Sequence, residues 1–174
     1  RLQLRRNNNV SDSDGPNDFE RAKKNLQRAL AVDDSFMPAF NLLSLYYLER
    51  AKQSAGQKVA KSSRGTESAK VDTQAIDLAL LVASQGIRKN PNYASIHNTA
   101  GLIFVQSGDL NNAVRRFDTA RKLDPNFFEA NMNFAAVNML FRGFNQAEEA
   151  YRAALKQKPD DYDANLRSEE RRVG

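Results

Sequence analysis

Three prolines recur at a fixed interval. Pro91, Pro125 and Pro159 stand 34 residues apart, and each follows a polar residue, in Asn90-Pro91, Asp124-Pro125 and Lys158-Pro159. Ahead of each lies a run with apolar residues three, four and seven positions apart. Before Pro91 the set is Ala75, Ile76, Ala79, Leu80, Ala83 and Ile87. Before Pro125 it is Ala113, Val114, Phe117, Ala120 and Leu123, and before Pro159 it is Ala147, Ala150, Tyr151, Ala154 and Leu155. Such spacing places apolar side chains on one face of a helix. Proline has no amide proton and restricts the residue before it, so each of the three ends a helix and begins a turn. Helical units repeated at this period bury their apolar faces by stacking on one another, which predicts an all-α solenoid.

The residues of segment 94–127 resemble a tetratricopeptide repeat. Ala100-Gly101, Phe104, Ala113, Phe117, Ala120 and Pro125 stand where that family places its Leu-Gly, aromatic, Ala, aromatic, Ala and Pro. Segment 128–161 keeps Ala135, Ala147, Tyr151, Ala154 and Pro159, with Ala135 in place of the glycine and Asn138 in place of an apolar or aromatic residue. The resemblance implies a right-handed superhelical solenoid of antiparallel helix pairs, A and B, with helices A lining the concave face. Physical expectations agree with it. Gly101 and Ala135 allow close crossing of A on B, Ala113 and Ala147 make room on helix B, and Phe117 and Tyr151 fill the wedge between units. Gly108 and Gly143 fall in the A–B turns, and Asp109 and Asn145 are candidate N-caps for the helices that follow.

Counting back in the same register finds earlier elements. Leu43, Ser44 and Tyr47 match helix A; Ala22, Leu26 and Ala29 match helix B, with Asp18 as its candidate cap and Asp34 where the family has proline. The unit from Met37 to the next start at Ala94 is 57 residues long, 23 more than the period. The extra material near 53–72 is rich in Ser, Lys, Gly and Gln and is expected to form a longer helix A and a disordered basic loop, or an element that orders on a partner. The expected plan is a poorly ordered segment 1–17 and one solenoid over 18–165. The solenoid comprises a half unit 18–36, a unit 37–93 bearing the insertion, and units 94–127 and 128–161. Residues 162–174 start like another helix A, with Ala164, Leu166 and Arg167 in register, and would form a cap or a truncated further unit. Helices are expected near 18–33, 37–53, 74–89, 94–107, 111–123, 128–141 and 145–157.

The register assigns a concave lining: Asn41, Leu45, Leu48 and Glu49; then Ser95, Asn98, Leu102, Val105 and Gln106; then Glu129, Met132, Ala136, Met139 and Leu140. This mixed, mostly apolar face suits a peptide or protein segment with apolar anchors, with Asn41 and Asn98 available to its backbone and the methionines able to adapt. Chaperone-docking members of the family carry a Lys/Arg/Asn carboxylate clamp. Here those positions hold Asn41, Leu45, Asn98, Thr99, Glu129 and Asn133, so the cationic half is missing.

Composition excludes several other functions. The chain has no cysteine and one histidine, which rules out thiolate chemistry and His-cluster metal sites within it. His97 takes an aromatic slot and is expected to be a half-buried packing residue. No phosphate loop, nucleophile elbow or paired-carboxylate motif occurs, so neither an enzyme, a cofactor nor a small-molecule substrate is expected. The net charge of +5 comes mainly from residues 1–10 and 53–71, because segment 74–161 holds ten basic and nine acidic residues. The basic pairs Arg88-Lys89, Arg115-Arg116 and Arg121-Lys122 are expected on the solvated faces of helices B, which disfavours nucleic acid as a partner. No apolar stretch is long enough to span a bilayer. Segment 36–164, with Asn92–Asn98 and its basic insertion, also resembles bacterial tetratricopeptide proteins of cell-envelope machines, notably those of adventurous gliding motility. That resemblance implies a periplasmic or outer-membrane-associated scaffold; without it, a cytoplasmic one is expected. Self-association through an uncovered terminal helix is the alternative role.

Overall fold

The computed structural model describes residues 15–61 and 72–161. Among them are seven α-helices and no strand: α1 Gly15–Val32, α2 Met37–Lys61, α3 Thr73–Lys89, α4 Ala94–Ser107, α5 Leu110–Leu123, α6 Phe128–Leu140 and α7 Phe144–Gln157. Consecutive helices pair as α2/α3, α4/α5 and α6/α7, and α1 packs on α2. The α2/α3 pair runs antiparallel. Phe40 near the start of α2 meets Gly86 near the end of α3, while Ser54 far along α2 hydrogen-bonds to Asp72 at the start of α3.

The joints between units repeat with the period. At each, a side-chain oxygen accepts from the backbone N–H two residues on: Asp33 from Ser35 at 2.9 Å, Asn90 from Asn92 at 3.0 Å and Asp124 from Asn126 at 3.0 Å. Such Asx turns hold the chain as it reverses between helices. The fourth joint has Lys158, which cannot accept, yet the backbone bond from Asp161 N–H to Lys158 O keeps the same turn as Phe127 N–H to Asp124 O.

The A–B turns repeat as well, with one surprise. The N–H groups of Gly108 and Asp109 bond to Val105 O and Phe104 O; those of Arg142 and Gly143 bond to Met139 O and Asn138 O. Both are Schellman closures, which need a left-handed residue. Gly108 supplies it with φ 82°, but its counterpart 34 residues on is Arg142, with φ 58°. Gly143 has φ −78° and serves as the N-cap of α7. Asn145 therefore lies inside the first turn and is not the cap. Asp109 does cap α5, accepting from Asn112 N–H at 3.1 Å.

Two further boundaries differ from expectation. Helix α1 reaches back to Gly15, so residues 15–17 are helical and Asp18 lies within the first turn. Pro16 causes no loss there, because first-turn N–H groups have no helical acceptor. Helix α2 runs to Lys61, eight residues past the expected Gln53. Its Ala, Lys and Gln residues favour helix and no proline stops it. The remaining expectations for residues 1–14, 62–71 and 162–174, including Ala164, Leu166 and Arg167, lie outside the described residues.

Burial divides into two cores. The first unites α2, α3 and α4 through Phe40, Leu43, Leu48, Ile76, Ile96 and Ile103. The second unites α5, α6 and α7 through Ala113, Phe117, Phe134, Ala147, Ala150 and Tyr151. Leu102 packs against both. Within the second, the Phe117 ring lies over Gly101, where a Cβ would come within 2.4 Å of Cε1. The absence of a side chain at 101 is what admits the ring. At the counterpart Ala135 a methyl is already present, and Tyr151 is buried beside it with its hydroxyl unpartnered among the described residues.

Candidate binding groove

Helices α2, α4 and α6 are the three helices A, and side chains stitch them together. Thr99 Oγ1 on α4 donates to Asn41 Oδ1 on α2 at 2.6 Å, and Asn133 Nδ2 on α6 donates to Asn98 Oδ1 on α4 at 2.9 Å. Asn41 and Asn98 are repeat counterparts, as are Thr99 and Asn133, so the same bond recurs at both unit junctions. Asparagine is a weak interior helix former. Four asparagines on α4 and α6 (Asn98, Asn131, Asn133 and Asn138) were a signal that these side chains have partners.

The predicted lining divides by depth. Asn41, Leu45, Ser95, Leu102, Met132, Ala136 and Met139 are partly buried; Val105 is 40% and Leu140 69% exposed. Glu129 is exposed, with its carboxylate 3.7 Å from Lys158 Nζ. Asn98 is buried, and its oxygen, like that of Asn41, already accepts a bond, so each has its Nδ2 to offer a ligand's backbone. Leu48 is 0% exposed and belongs to the first core, not to the groove lining. The cause is helix spacing: α2 packs directly on α4, whereas α4 and α6 meet less closely. The position that leaves Val105 in solvent on α4 is therefore closed over on α2.

The signature positions fall where the repeat needs them. Gly101, Ala113, Phe117, Ala120, Ala147, Tyr151 and Ala154 are buried, Phe104 packs against the second core, and Pro125 and Pro159 lie exposed in the joints. Gly86, unremarked in the sequence, is also structural: a Cβ there would stand 3.0 Å from Phe40 Cβ and 3.3 Å from Ile96 Cγ1. It lets α3 sit close to both α2 and α4.

Behind the groove, His97 and Asn131 occupy equivalent places. His97 Nε2 lies 2.8 Å from Pro91 O, and Asn131 Nδ2 donates to Pro125 O at 3.0 Å. Each also faces an arginine of α5: Arg116 Nη1 lies 3.5 Å from His97 Nδ1, and Arg121 Nε donates to Asn131 Oδ1 at 3.3 Å. These bonds assign the neutral imidazole with its proton on Nε2. His97 is 4% exposed, more deeply set than expected, and burial lowers its pKa, opposed by the Pro91 bond and aided by Arg116. Arg121 is likewise not on a solvated face. Its guanidinium lies 4.6 Å from the Phe134 ring centre and bonds to Glu149 at 2.9 Å, with the side chain 15% exposed. That removes one cation from the basic pairs.

Other concavities lie elsewhere. A cleft of about 460 Å³ opens among Leu30, Asp34, Phe40, Gln85, Arg88 and Lys89, where Lys89 pairs with Asp34. Among the described residues no group of three or more acidic or histidine side chains could hold a metal ion, and no helix is long and apolar enough to cross a membrane.

No protein-family profile matches the sequence, and no curated protein matches it. Solved structures do. A thermophilic TPR protein of Thermus thermophilus, TTC0263, is similar with TM-score 0.69 at 21% identity, over 91% of this chain and 75% of that one. The MamA RS-1 ArsTM double mutant is similar with TM-score 0.59 at 15% identity, over 83% and 68% of the two chains. MamA MSR-1 C2 gives 0.53 at 17% identity, over 83% and 70%. Identities this low speak to architecture alone, and they agree with the 34-residue joints and turns above: the chain has the tetratricopeptide-repeat fold, an all-α solenoid of paired helices.

Proposed function

We propose that this chain is a non-enzymatic scaffold that binds a protein segment in the groove lined by helices A. One observation carries the reading. Val105 on α4 and Met132, Ala136, Met139 and Leu140 on α6 are apolar, share the groove register and are all at least partly exposed, with Leu140 the most exposed at 69%. An apolar strip on a curved face, rimmed by amides, is the form taken by peptide-binding surfaces. The test is a double variant, Val105→Lys with Leu140→Lys. Both side chains are exposed, and lysine near a helix C-terminus suits the helix dipole, so folding should be unaffected. Leu102 is a poorer choice because it packs against both cores. The variant should lose the proteins that wild type retrieves from lysate while keeping its circular-dichroism spectrum. Retrieval of the same proteins by both would sink the groove as the site.

A second reading, self-association, has its own observation. Ala79, Ala113 and Ala147 are buried within their units, but their counterpart on α1, Ala22, is exposed, and Phe19 and Val32 on the same helix are 44% and 90% exposed. Among the described residues helix α1 packs on α2, with Leu26 and Leu30 against the first core, Tyr46 donating to Glu20 at 2.6 Å and a Phe19–Tyr46 ring contact. Light scattering separates the readings: a concentration-dependent mass that Val32→Glu abolishes supports association through α1. The finer placement in a cell-envelope or motility complex rests on the sequence resemblance. Fractionation of cells carrying the tagged gene tests it, and a purely cytosolic signal would refute it.

A further inference from the structure

Resting on the reading of the groove as a binding surface, we infer that its ligand is an amphipathic helix with an uncharged anchor face, not an extended peptide. The first ground is hydrogen bonding. An extended ligand exposes an N–H and a C=O at every residue, and those that face a groove need partners when water leaves. The groove offers few. The carboxamide oxygens of Asn41 and Asn98 each accept a bond, from Thr99 and from Asn133, which leaves mainly their Nδ2 donors for a ligand, and the backbone groups within α4 and α6 are spent in their own helices. A helix brings its backbone already satisfied and asks only for apolar contact.

The second ground is charge complementarity. Helix α4 contains no Asp, Glu, Lys or Arg, and α6 contains only Glu129, at its first turn. A charged side chain buried against these walls would lose hydration and gain no counter-ion. The ligand's contact face must therefore be uncharged, with its charges turned to solvent. The spacing of the strip supplies the third ground. Met132, Ala136, Met139 and Leu140 lie at i, i+4, i+7 and i+8 on α6, with Leu102 and Val105 at i and i+3 on α4. The α6 row extends about 12 Å along its axis, a little over two turns of a partner helix. Side-chain rows on two neighbouring helices leave a furrow into which a third row of i, i+3, i+4, i+7 anchors can pack.

Two displayed peptide libraries of about 16 residues, roughly 24 Å as helix, provide the probes. One fixes an amphipathic helical frame of Ala, Glu and Lys with randomised apolar anchors; the other places proline between randomised anchors and so stays extended. Both are selected on the whole chain, and binders are re-measured on Val105→Lys with Leu140→Lys, or on Leu140→Lys alone if the double variant melts early. The inference expects binders from the helical library that weaken by about tenfold or more on the variant and tighten when the helix is stapled. Extended binders that the variant also abolishes would overturn the helical ligand and leave the groove standing. Binders indifferent to the variant, or none from either library, would overturn both.

Discussion

Gly101 is the residue on which a whole unit closes. A methyl at that position would meet the Phe117 ring at 2.4–2.8 Å, and the ring is completely buried. Alanine gains about 1 kcal/mol of helix propensity over glycine, whereas overpacking costs about 1–3 kcal/mol and here displaces a ring without free space. Gly101→Ala should thus lower the urea-unfolding free energy by about 1–2 kcal/mol, and Phe117→Leu in the same chain should restore part of it; an unchanged midpoint would refute the contact. His97 makes a second prediction. Its folded pKa is lowered below the ordinary 6.5, first by burial. Above 6.5 the ring is neutral folded or unfolded, and its contribution is fully present. As pH falls below 6.5 the unfolded chain takes up the proton first, and stability declines by at most about 1.4 kcal/mol per pH unit until the folded pKa is passed. Melting temperature should drop from pH 7 to 5, and His97→Asn, copying Asn131, should flatten that slope. The lowered carboxylates Glu20, Asp33 and Asp109 lose their contributions in more acid solution. Both sites show what sequence can hold. The small residue at 101 and the buried ring at 117 followed from their places in the period, because volume is written in residue type; that the ring lies over Gly101 itself, and not only in the wedge between units, did not. The partners of His97 did not, because Pro91 O and Arg116 are brought to it by the joint and by α5. Arg142 was overlooked for a similar reason: Gly143, next door, drew the turn one residue away from the position that the period assigns.

At the scale of elements, the helices were legible nearly to the residue where a cap or a proline marks an end. They were less so where nothing marks it. Helix α2 ends eight residues late because Ala55, Gln57, Lys58, Ala60 and Lys61 all tolerate helix and the only weak point is Gly56. In register, Arg50 corresponds to Ser107, the last residue of α4. Helix α2 thus overshoots its counterpart by about three turns, roughly 16 Å. Ser54, four residues into the overshoot, meets Asp72, so the pair α2/α3 stays zipped up to the start of α3. Removal of residues 56–70 with a short glycine-serine closure should keep the helical circular-dichroism signal per remaining helical residue and shift the melting temperature little, since loop length enters stability only logarithmically. A collapse of the signal would show that the removed segment supports the array. The packing of α1 on α2 was legible in its helix-B pattern. The burial of Leu48 was not, because sequence gives no measure of how closely α2 and α4 approach.

Across the whole molecule, two cores meet at α4 and share Leu102. A solenoid is stable as the sum of its units and the contacts between neighbours, and a weakened junction lets the parts unfold separately. Leu102→Ala should therefore do more than cost about 2–4 kcal/mol. Its denaturant curve should broaden or split, with the fluorescence of the tyrosines Tyr46 and Tyr47 on one side and Tyr151 on the other no longer changing together. A single sharp transition with an unchanged slope would show that the cores are coupled by other means. This division could not be read from the period, which treats every junction alike; it comes from unequal spacing of the three helices A. The bond from Ser54 to Asp72 has one more consequence. It joins the side chains of Ser54 and Asp72, the residues that flank a segment inserted in the middle of the chain, at 3.3 Å. Foreign domains with adjacent termini are accepted at such places without disturbing their host. A fluorescent protein spliced in for residues 56–70 would ride on the edge as a passenger, and with a second dye near Leu140 its energy transfer would report, in a living cell, when the groove is filled.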